Sequence, residues 1–276
     1  MRLSYSNYRT YLNCPRLYYN QVNKVPSDVK DSEYHSLYGR LIESFFEKHV
    51  NCYSKRDELI PESQIREIMR REWDYMLDNA YVDWSEPWVK LGSNELFEQV
   101  IEDILKNLEA FDFWNQCTSE VSYKIDLKKS GDSLTGRMDF IRNTGSSIEI
   151  LDGKGTTKMD KNVDIEQLYF YALLYLLRHG KLPNKVGFLY YRYQLIKYVD
   201  INLDIITKFK NKLAIVKRAI SQDKVFTPKP MLSKHCKWCK WRFQCDAFSA
   251  KKEVYASRKK NKINEKTDGQ VIDLSI

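Results

Sequence analysis

The hydrophobic period of this chain changes at Glu120, and that change limits what it can fold into more than any other feature. Upstream, Phe97, Val100, Ile101, Ile104, Leu105, Leu108 and Phe111 recur every three or four positions, the stripe of an amphipathic helix. The run LYGRLIESFFEKHV from Leu37 to Val50 has the same spacing, and residues 51 to about 119 read as helical. Downstream, EVSYKIDL, SLTGRMDFI and SIEILDGKG are short, alternating and rich in β-branched residues. Ser130-Gly131-Asp132 and Asn143-Thr144-Gly145 separate them, which predicts three strands joined by two tight turns. A helix from about Lys161 to His179 follows, stopped by Gly180 and Pro183. KVGFLYYRYQ then predicts a fourth strand, Ile196 to Asp200 a fifth, and Ile206, Phe209, Leu213, Val216 and Ile220 a last amphipathic helix.

Charge and composition narrow the function classes. Lys and Arg outnumber Asp and Glu by 45 to 37, a net +8 that favours a polyanionic partner. No stretch approaches ~18 uninterrupted apolar residues, so no membrane span is expected. The opening MRLSYSNYRTYLNCPR lacks the apolar run of a secretory signal, and a cytoplasmic location is expected, in a bacterium, an archaeon or a virus-infected cell. Six cysteines in 276 residues do not make a disulfide scaffold; their clustering suggests ligands instead.

The candidate chemistry lies on the strands around Asn143. Asp139 falls near the end of one strand, and Asp152 and Lys154 at the end of its hairpin neighbour. Side chains two apart on a strand share a face, so Asp152 and Lys154 are expected to emerge together at the rim of the sheet, beyond Ile148 and Ile150. Two carboxylates and an amine are the parts of metal-assisted hydrolysis: hard oxygens hold Mg²⁺ or Mn²⁺, and the ammonium stabilises developing negative charge. Asp-x-Lys alone is frequent by chance and equally describes a solvated surface pair. Glu43 sits on an upstream helix, where it could be a solvated residue. Gln167 and Tyr171, four apart, share a helix face, and Tyr171 could equally be core packing among Leu168, Phe170, Leu173 and Leu174.

In order, Gly39…Glu43, Asp139, Asp152-Gly153-Lys154 and Gln167…Tyr171 resemble the RecB-type branch of the PD-(D/E)xK nuclease superfamily. The opening Ser6…Tyr11…Cys14-Pro15-Arg16-Leu17-Tyr18 looks like the N-terminal element of the same branch. The resemblance covers roughly residues 4 to 246 and implies a restriction-endonuclease-like α/β core: a mixed central sheet flanked by helices, with a helical insertion and a C-terminal iron–sulfur clasp. It implies that Glu43, Asp139, Asp152 and the Gly153 carbonyl hold Mg²⁺ or Mn²⁺. Lys154 would be the catalytic lysine, with Gln167 and Tyr171 positioning DNA and the site. Two positions depart from the commoner pattern. Glu43 stands where many members have His, and Asp152 where Glu is usual.

Cys236-x2-Cys239-x5-Cys245 is a compact trio, with Cys14 as the distant candidate for a fourth ligand. Four thiolates suit Zn²⁺ or an iron–sulfur cluster. The asymmetric spacing resembles the 4Fe–4S staple of AddB-like and CRISPR-associated RecB-like nucleases, which clips the N-terminal segment to the C-terminal one. Cys52 and Cys117 read as buried thiols.

LYYRYQLIKY and KWCKWRFQC interleave basic and aromatic residues, a pattern that suits phosphates and unpaired bases, although Tyr190, Trp238 and Trp241 could each be packing. Trp73, Trp84 and Trp88 could line a DNA passage or pack the helical region. The expected organisation is an N-terminal segment (1–50), a helical insertion (51–119), a nuclease core (120–222), the clasp (223–249) and a flexible basic tail (250–276), whose apolar end reads as a frayed terminus or as a motif that could dock on a partner. The expected activity is Mg²⁺- or Mn²⁺-dependent DNA hydrolysis, favouring an exonuclease on single strands or ends. Recombination, replication, end processing or CRISPR spacer acquisition would supply the setting and any protein partner. The alternative is a catalytically silent DNA-binding or scaffold subunit; a silent descendant should have lost Asp139, Asp152 or Lys154, and all three are present.

Overall fold

Helices occupy the chain as far as residue 110. In the computed structural model, which describes residues 1–27, 29, 32–87, 89–127, 131–156, 159, 164–229 and 235–249, a short strand β1 (Arg2–Leu3) leads into α1 (Tyr5–Asn13) and α2 (Pro15–Val22). Three longer helices follow: α3 (Tyr34–Arg56), α4 (Glu62–Asn79) and α5 (Ser93–Ala110). Asp57 stops α3 in the left-handed region (φ 58°), and its N–H returns to the Tyr53 carbonyl at 2.8 Å. Pro61 precedes α4, where its fixed φ suits a helix entry. The Glu95 carboxylate accepts the Gly92 N–H at 2.5 Å and closes the start of α5. The stretch read as helical from 51 to 119 is therefore interrupted at these breaks.

The strands follow: β2 (Cys117–Leu127), β3 (Asp132–Asn143) and β4 (Ile148–Lys154). Next come α6 (Glu166–His179), β5 (Lys185–Tyr190), β6 (Leu195–Val199) and α7 (Leu203–Gln222). β2 starts at Cys117, before the change of period, because Cys117 to Ser119 already pair with β3. Residues 128–130 and 160–163, expected in a turn and at the helix start, lie outside the described residues, as do Trp88 and the tail from 250.

The sheet is mixed and six-stranded, in the order β1-β3-β4-β5-β6, with β2 on the other edge of β3. β4 and β5 are parallel and α6 crosses between them, as a parallel connection requires. Two compact units form: Met1–Tyr5 with Ser32–Ser221, and Ser6–Asp31 with Gln222–Ile276.

Within the first unit, Leu37, Leu41, Phe45 and Phe46 of α3 bury completely with Met69 and Trp73 of α4, Phe97 and Val100 of α5, and Leu151 and Leu189 of the sheet. Phe46 lies between Trp114 (ring centroids 4.1 Å, 19°) and Tyr191 (5.3 Å, 2°). Trp73 is therefore core, and Trp84 packs against the same cluster half-buried. Cys117 is buried as expected, but Cys52 is only half-buried.

Within the second unit, the N-terminal helices and the C-terminal segment knit together. Tyr11 donates to Asp223 at 2.8 Å, Arg16 donates to the Phe226 carbonyl at 3.1 Å, and the Trp241 indole donates to the Val25 carbonyl at 3.0 Å. Trp238 is more than half exposed.

His49 is the odd member of the core. It is 2% exposed, stacks on Phe45 at 5.2 Å, and neither ring nitrogen has a hydrogen-bond partner among the described residues. Burial lowers its pKa to about 4. The unfolded chain protonates near the ordinary value, ~6.5, and the fold does not follow until about 4, so stability is lost as pH falls through that window. The expected cost between pH 7 and pH 5 is about 2 kcal/mol. Urea denaturation of His49→Leu at the two pH values should show that loss reduced by this amount, with higher stability throughout because two unpaired nitrogens leave the core.

Candidate active site

β3 shares one of its edges between two partners, and the site lies where they part. β4 pairs with β3 from Asn143↔Ile148 to Phe140↔Leu151, whereas β1 pairs with the far end at Ser133 and Leu134. The next residues past Phe140 and Leu151 are Asp139 and Asp152, which face each other where the ladder stops. The backbone bond that would come next is replaced: the Gly153 N–H donates to Asp139 Oδ2 at 2.9 Å. Across the other edge, Glu120 stands between the Ser119↔Phe140 and Val121↔Met138 pairs, opposite Asp139, with φ +54°. Left-handed backbone is unusual for glutamate within a strand, and it marks local strain beside the acid.

Asp152 faces α6. Its Oδ1 accepts from Gln167 Nε2 at 2.8 Å, and its Oδ2 ion-pairs with Lys154 Nζ. Lys154 Nζ also donates to Gln167 Oε1 at 3.2 Å, and Gln167 Nε2 lies 3.0 Å from Tyr171 Oη. The i, i+4 pair on α6 therefore spans the Asp152–Lys154 pair, and the Gln167 amide meets both charges with the atom each requires. Tyr171 is buried, as packing would demand, yet its hydroxyl belongs to this network. Asp152 does not emerge at a rim: α6 covers it and it is 2% exposed, whereas Lys154 keeps partial access to water.

Glu43 comes from α3 and remains open to solvent on one side. Protein packing and the Asp152 charge raise its pKa above the usual carboxylate range. Burial, followed by Asp152, pushes Asp139 up to about 8, against the Gly153 hydrogen bond that favours its charged form. Burial likewise raises Asp152, with Lys154 opposing. For Lys154, burial alone would favour the neutral amine, but Asp152 outweighs it and the net shift is upward. Glu43, Asp139, Asp152 and Lys154 thus act on one another electrostatically, with three acids against one ammonium.

That imbalance suits a divalent cation, which would relieve the mutual repulsion of hard oxygen donors. The side chains are not pre-arranged as a cage. Among the described residues, no group of three or more His, Cys, Asp or Glu side chains is placed to hold a metal ion. The faces explain the spread, since Asp152 turns toward α6 while Glu43 comes from α3.

The four remaining candidate ligands belong to the second unit. Cys14, Cys236, Cys239 and Cys245 line one cavity of about 40 Å³ with His235 and Trp241. Cys14 is the N-cap of α2, Pro15 begins the helix, and Arg16 reaches the carbonyls of Phe226 and Val225. Cys14 Sγ accepts the Lys229 N–H at 3.4 Å. Burial raises the Cys239 thiol, and the other three sulfurs add to the shift. The donor set is soft and fits a thiolate-bound centre, although the sulfurs do not stand at ligand geometry.

Two features of the site escaped the sequence pattern. Tyr191, in the turn Tyr191–Tyr193 after β5, places its ring where a Gly153 side chain would be, on the face away from Asp152. Its neighbour Arg192 donates to the Gly155 carbonyl at 3.2 Å and lies 3.5 Å over the Tyr38 ring, while Tyr38 Oη donates to buried Asp103 at 2.7 Å. The only sequence signal was a tyrosine-rich strand end, which reads as packing.

The family model described as "PD-(D/E)XK nuclease superfamily" matches residues 2–246. No curated protein matches the chain significantly. Among solved structures, a candidate exonuclease from Eubacterium rectale is similar at 15% identity and a TM-score of 0.49, covering 80% of each chain. The protein SSO0001 is similar at 15% identity and a TM-score of 0.32, covering 76% of this chain and 95% of its own.

A Cβ on Gly153 would meet the Tyr191 ring at 2.8 Å from Cζ and closer still to the hydroxyl. The ring is clamped against Phe46 and cannot step aside. Gly153→Ala should therefore cost about 2 kcal/mol in urea denaturation through overpacking.

Proposed function

Because the chain belongs to the PD-(D/E)XK nuclease superfamily, we propose that it is a deoxyribonuclease of the RecB-like branch. It would act on single-stranded DNA or DNA ends in recombination, end processing or spacer acquisition. The observation that carries the reading is the closed set Asp152–Gln167–Lys154, with Asp139 held to Gly153 beside it. A scaffold has no use for an ammonium kept charged at a cluster of acids whose own pKa values are raised. Glu43, Asp139, Asp152 and the Gly153 carbonyl would hold Mg²⁺ or Mn²⁺. When bound, such an ion supplies Lewis acidity and a nucleophilic water at neutral pH.

The protein's own groups do the rest. Lys154, held by Asp152 and by Gln167 Oε1, presents positive charge to a phosphodiester at the fork. Gln167 fixes the distance between acid and amine, and Tyr171 holds Gln167 from the next turn of α6. The net +8 of the chain favours a polyanionic strand at long range.

We further assign Cys14, Cys236, Cys239 and Cys245 to a 4Fe–4S cluster whose role is to staple α2 to the C-terminal segment. Their common cavity and the Cys-Pro-Arg start of α2 support this.

End-labelled single-stranded DNA incubated with Mn²⁺ should be shortened by the wild type. Lys154→Ala should lose roughly 100- to 1000-fold in rate, the scale of removing one electrostatic contact to the transition state. Asp152→Asn should be inactive. Equal inertness of all three proteins would favour the silent scaffold. Elemental analysis of aerobically and anaerobically prepared protein should find iron, and Cys239→Ala should lose both the iron and the brown colour; zinc in its place would overturn the cluster assignment.

A further inference from the structure

Resting on the nuclease reading, we propose that Arg137 is a substrate contact of the same site: its guanidinium binds a backbone phosphate of the DNA strand beside the fork, and Glu120 holds it in position to do so. The residues that carry the family resemblance include neither.

Three observations converge. The first is place. Glu120 stands opposite Asp139 on the neighbouring strand, and Arg137, across from Ser122, lies one diagonal step away and ion-pairs with the Glu120 carboxylate. Ser119, just before Glu120, has its hydroxyl 3.1 Å from Asn51 Oδ1 and 3.4 Å from the Glu47 carbonyl. Those contacts fix this part of β2 to α3 one turn beyond Glu43. The ion pair therefore borders both Asp139 and the helix that carries Glu43.

The second is energy. Glu120 has φ +54°, and left-handed backbone costs a glutamate more than an exposed ion pair returns. A gain in stability therefore does not account for the pair. Strain of this kind persists where a side chain has to be aimed, and here the aimed carboxylate holds Arg137.

The third is access. The Arg137 side chain is 65% exposed, whereas that of Lys154 is 27% exposed and held to Asp152. Carboxyl groups at the fork oppose the approach of a polyanionic strand, and a guanidinium open to solvent offsets that repulsion. Arginine suits the task because its planar fork carries five donors: Nη1 meets Glu120, and further donors remain for phosphate oxygens.

The test measures binding of labelled single-stranded DNA in EDTA, so that nothing is cut, over a series of salt concentrations. Wild type, Arg137→Ala and Arg137→Lys are compared, each with its melting temperature. One phosphate contact to a single strand contributes about 0.7 to the slope of log affinity against log salt. Arg137→Ala should lose about that much slope and about tenfold in affinity, equally on two unrelated sequences. Arg137→Lys should keep the slope, because the charge remains, with an intermediate affinity because the fork is gone. Both variants should melt with the wild type, since the pair is exposed. An Arg137→Ala slope equal to the wild type overturns the proposal, and so does a loss confined to one sequence, which means a base contact. A lowered melting temperature with an unchanged slope assigns the pair to stability and overturns it too, as does a wild type with no affinity for DNA. The two readings fail separately. A wild type that binds DNA but cuts none when given Mn²⁺ sinks the nuclease while the slopes still judge Arg137; a wild type that cuts, with equal slopes, sinks only Arg137.

Discussion

Three carboxyl groups that act electrostatically on one another and on one ammonium are the constraint on which the rest of the first unit depends. Asp139 and Asp152 face each other where β3 and β4 stop pairing, and Glu43 is brought to them by α3. In water such a group of like charges would spread apart. Here the backbone prevents it, because each acid stands on an element anchored by its own apolar side: Phe45 and Phe46 beside Glu43, Phe140 after Asp139, Leu151 before Asp152. Burial raises the pKa values of Asp139 and Asp152, the Asp152 charge adds to the shift at Asp139, and Lys154 and the Gly153 N–H offset it in part.

The neighbouring architecture follows from keeping that cluster intact. α6 must cross between two parallel strands, and its crossing lays Gln167 over the acid–amine pair. Beneath the other face, the stack Trp114–Phe46–Tyr191 gives the sheet a stiff floor. Strain collects at the same place: Glu120 with positive φ stands on one side of Asp139, and glycine is required at 153 on the other because Tyr191 takes the space. Asp103, Tyr38 and Arg192 tie α5, α3 and the segment after Lys154 together through a buried polar chain.

The second unit solves a different problem. Its helices are short, at nine and eight residues, and the described part of the C-terminal segment has little regular structure. A few polar ties and aromatic contacts, such as Tyr18 against Phe226, hold these pieces together. Four thiols from these distant stretches of chain line one cavity.

Much of this was legible in the residues. The switch of period at Glu120 marked the three successive strands to within a few positions, because periodicity reports a local pattern of burial, but the helix before them ends earlier, at Ala110. The spacing of Asp152 and Lys154 put them on one face, and Gln167 and Tyr171 on another, since two and four residues are the repeats of a strand and a helix turn. Depth was not legible: Asp152 was expected at a rim and is covered, because α6 returns over it from beyond a connection whose length says nothing of its path. Tyr191 and Arg192 were equally hidden, as their roles come from Phe46, Gly153 and Gly155, distant in the chain. Types and spacing of the chemical groups were thus the sequence's to determine, since both are local. Which groups meet, which are shielded from water and which proton stays held was decided by the tertiary structure alone, because solvation and charge act through space.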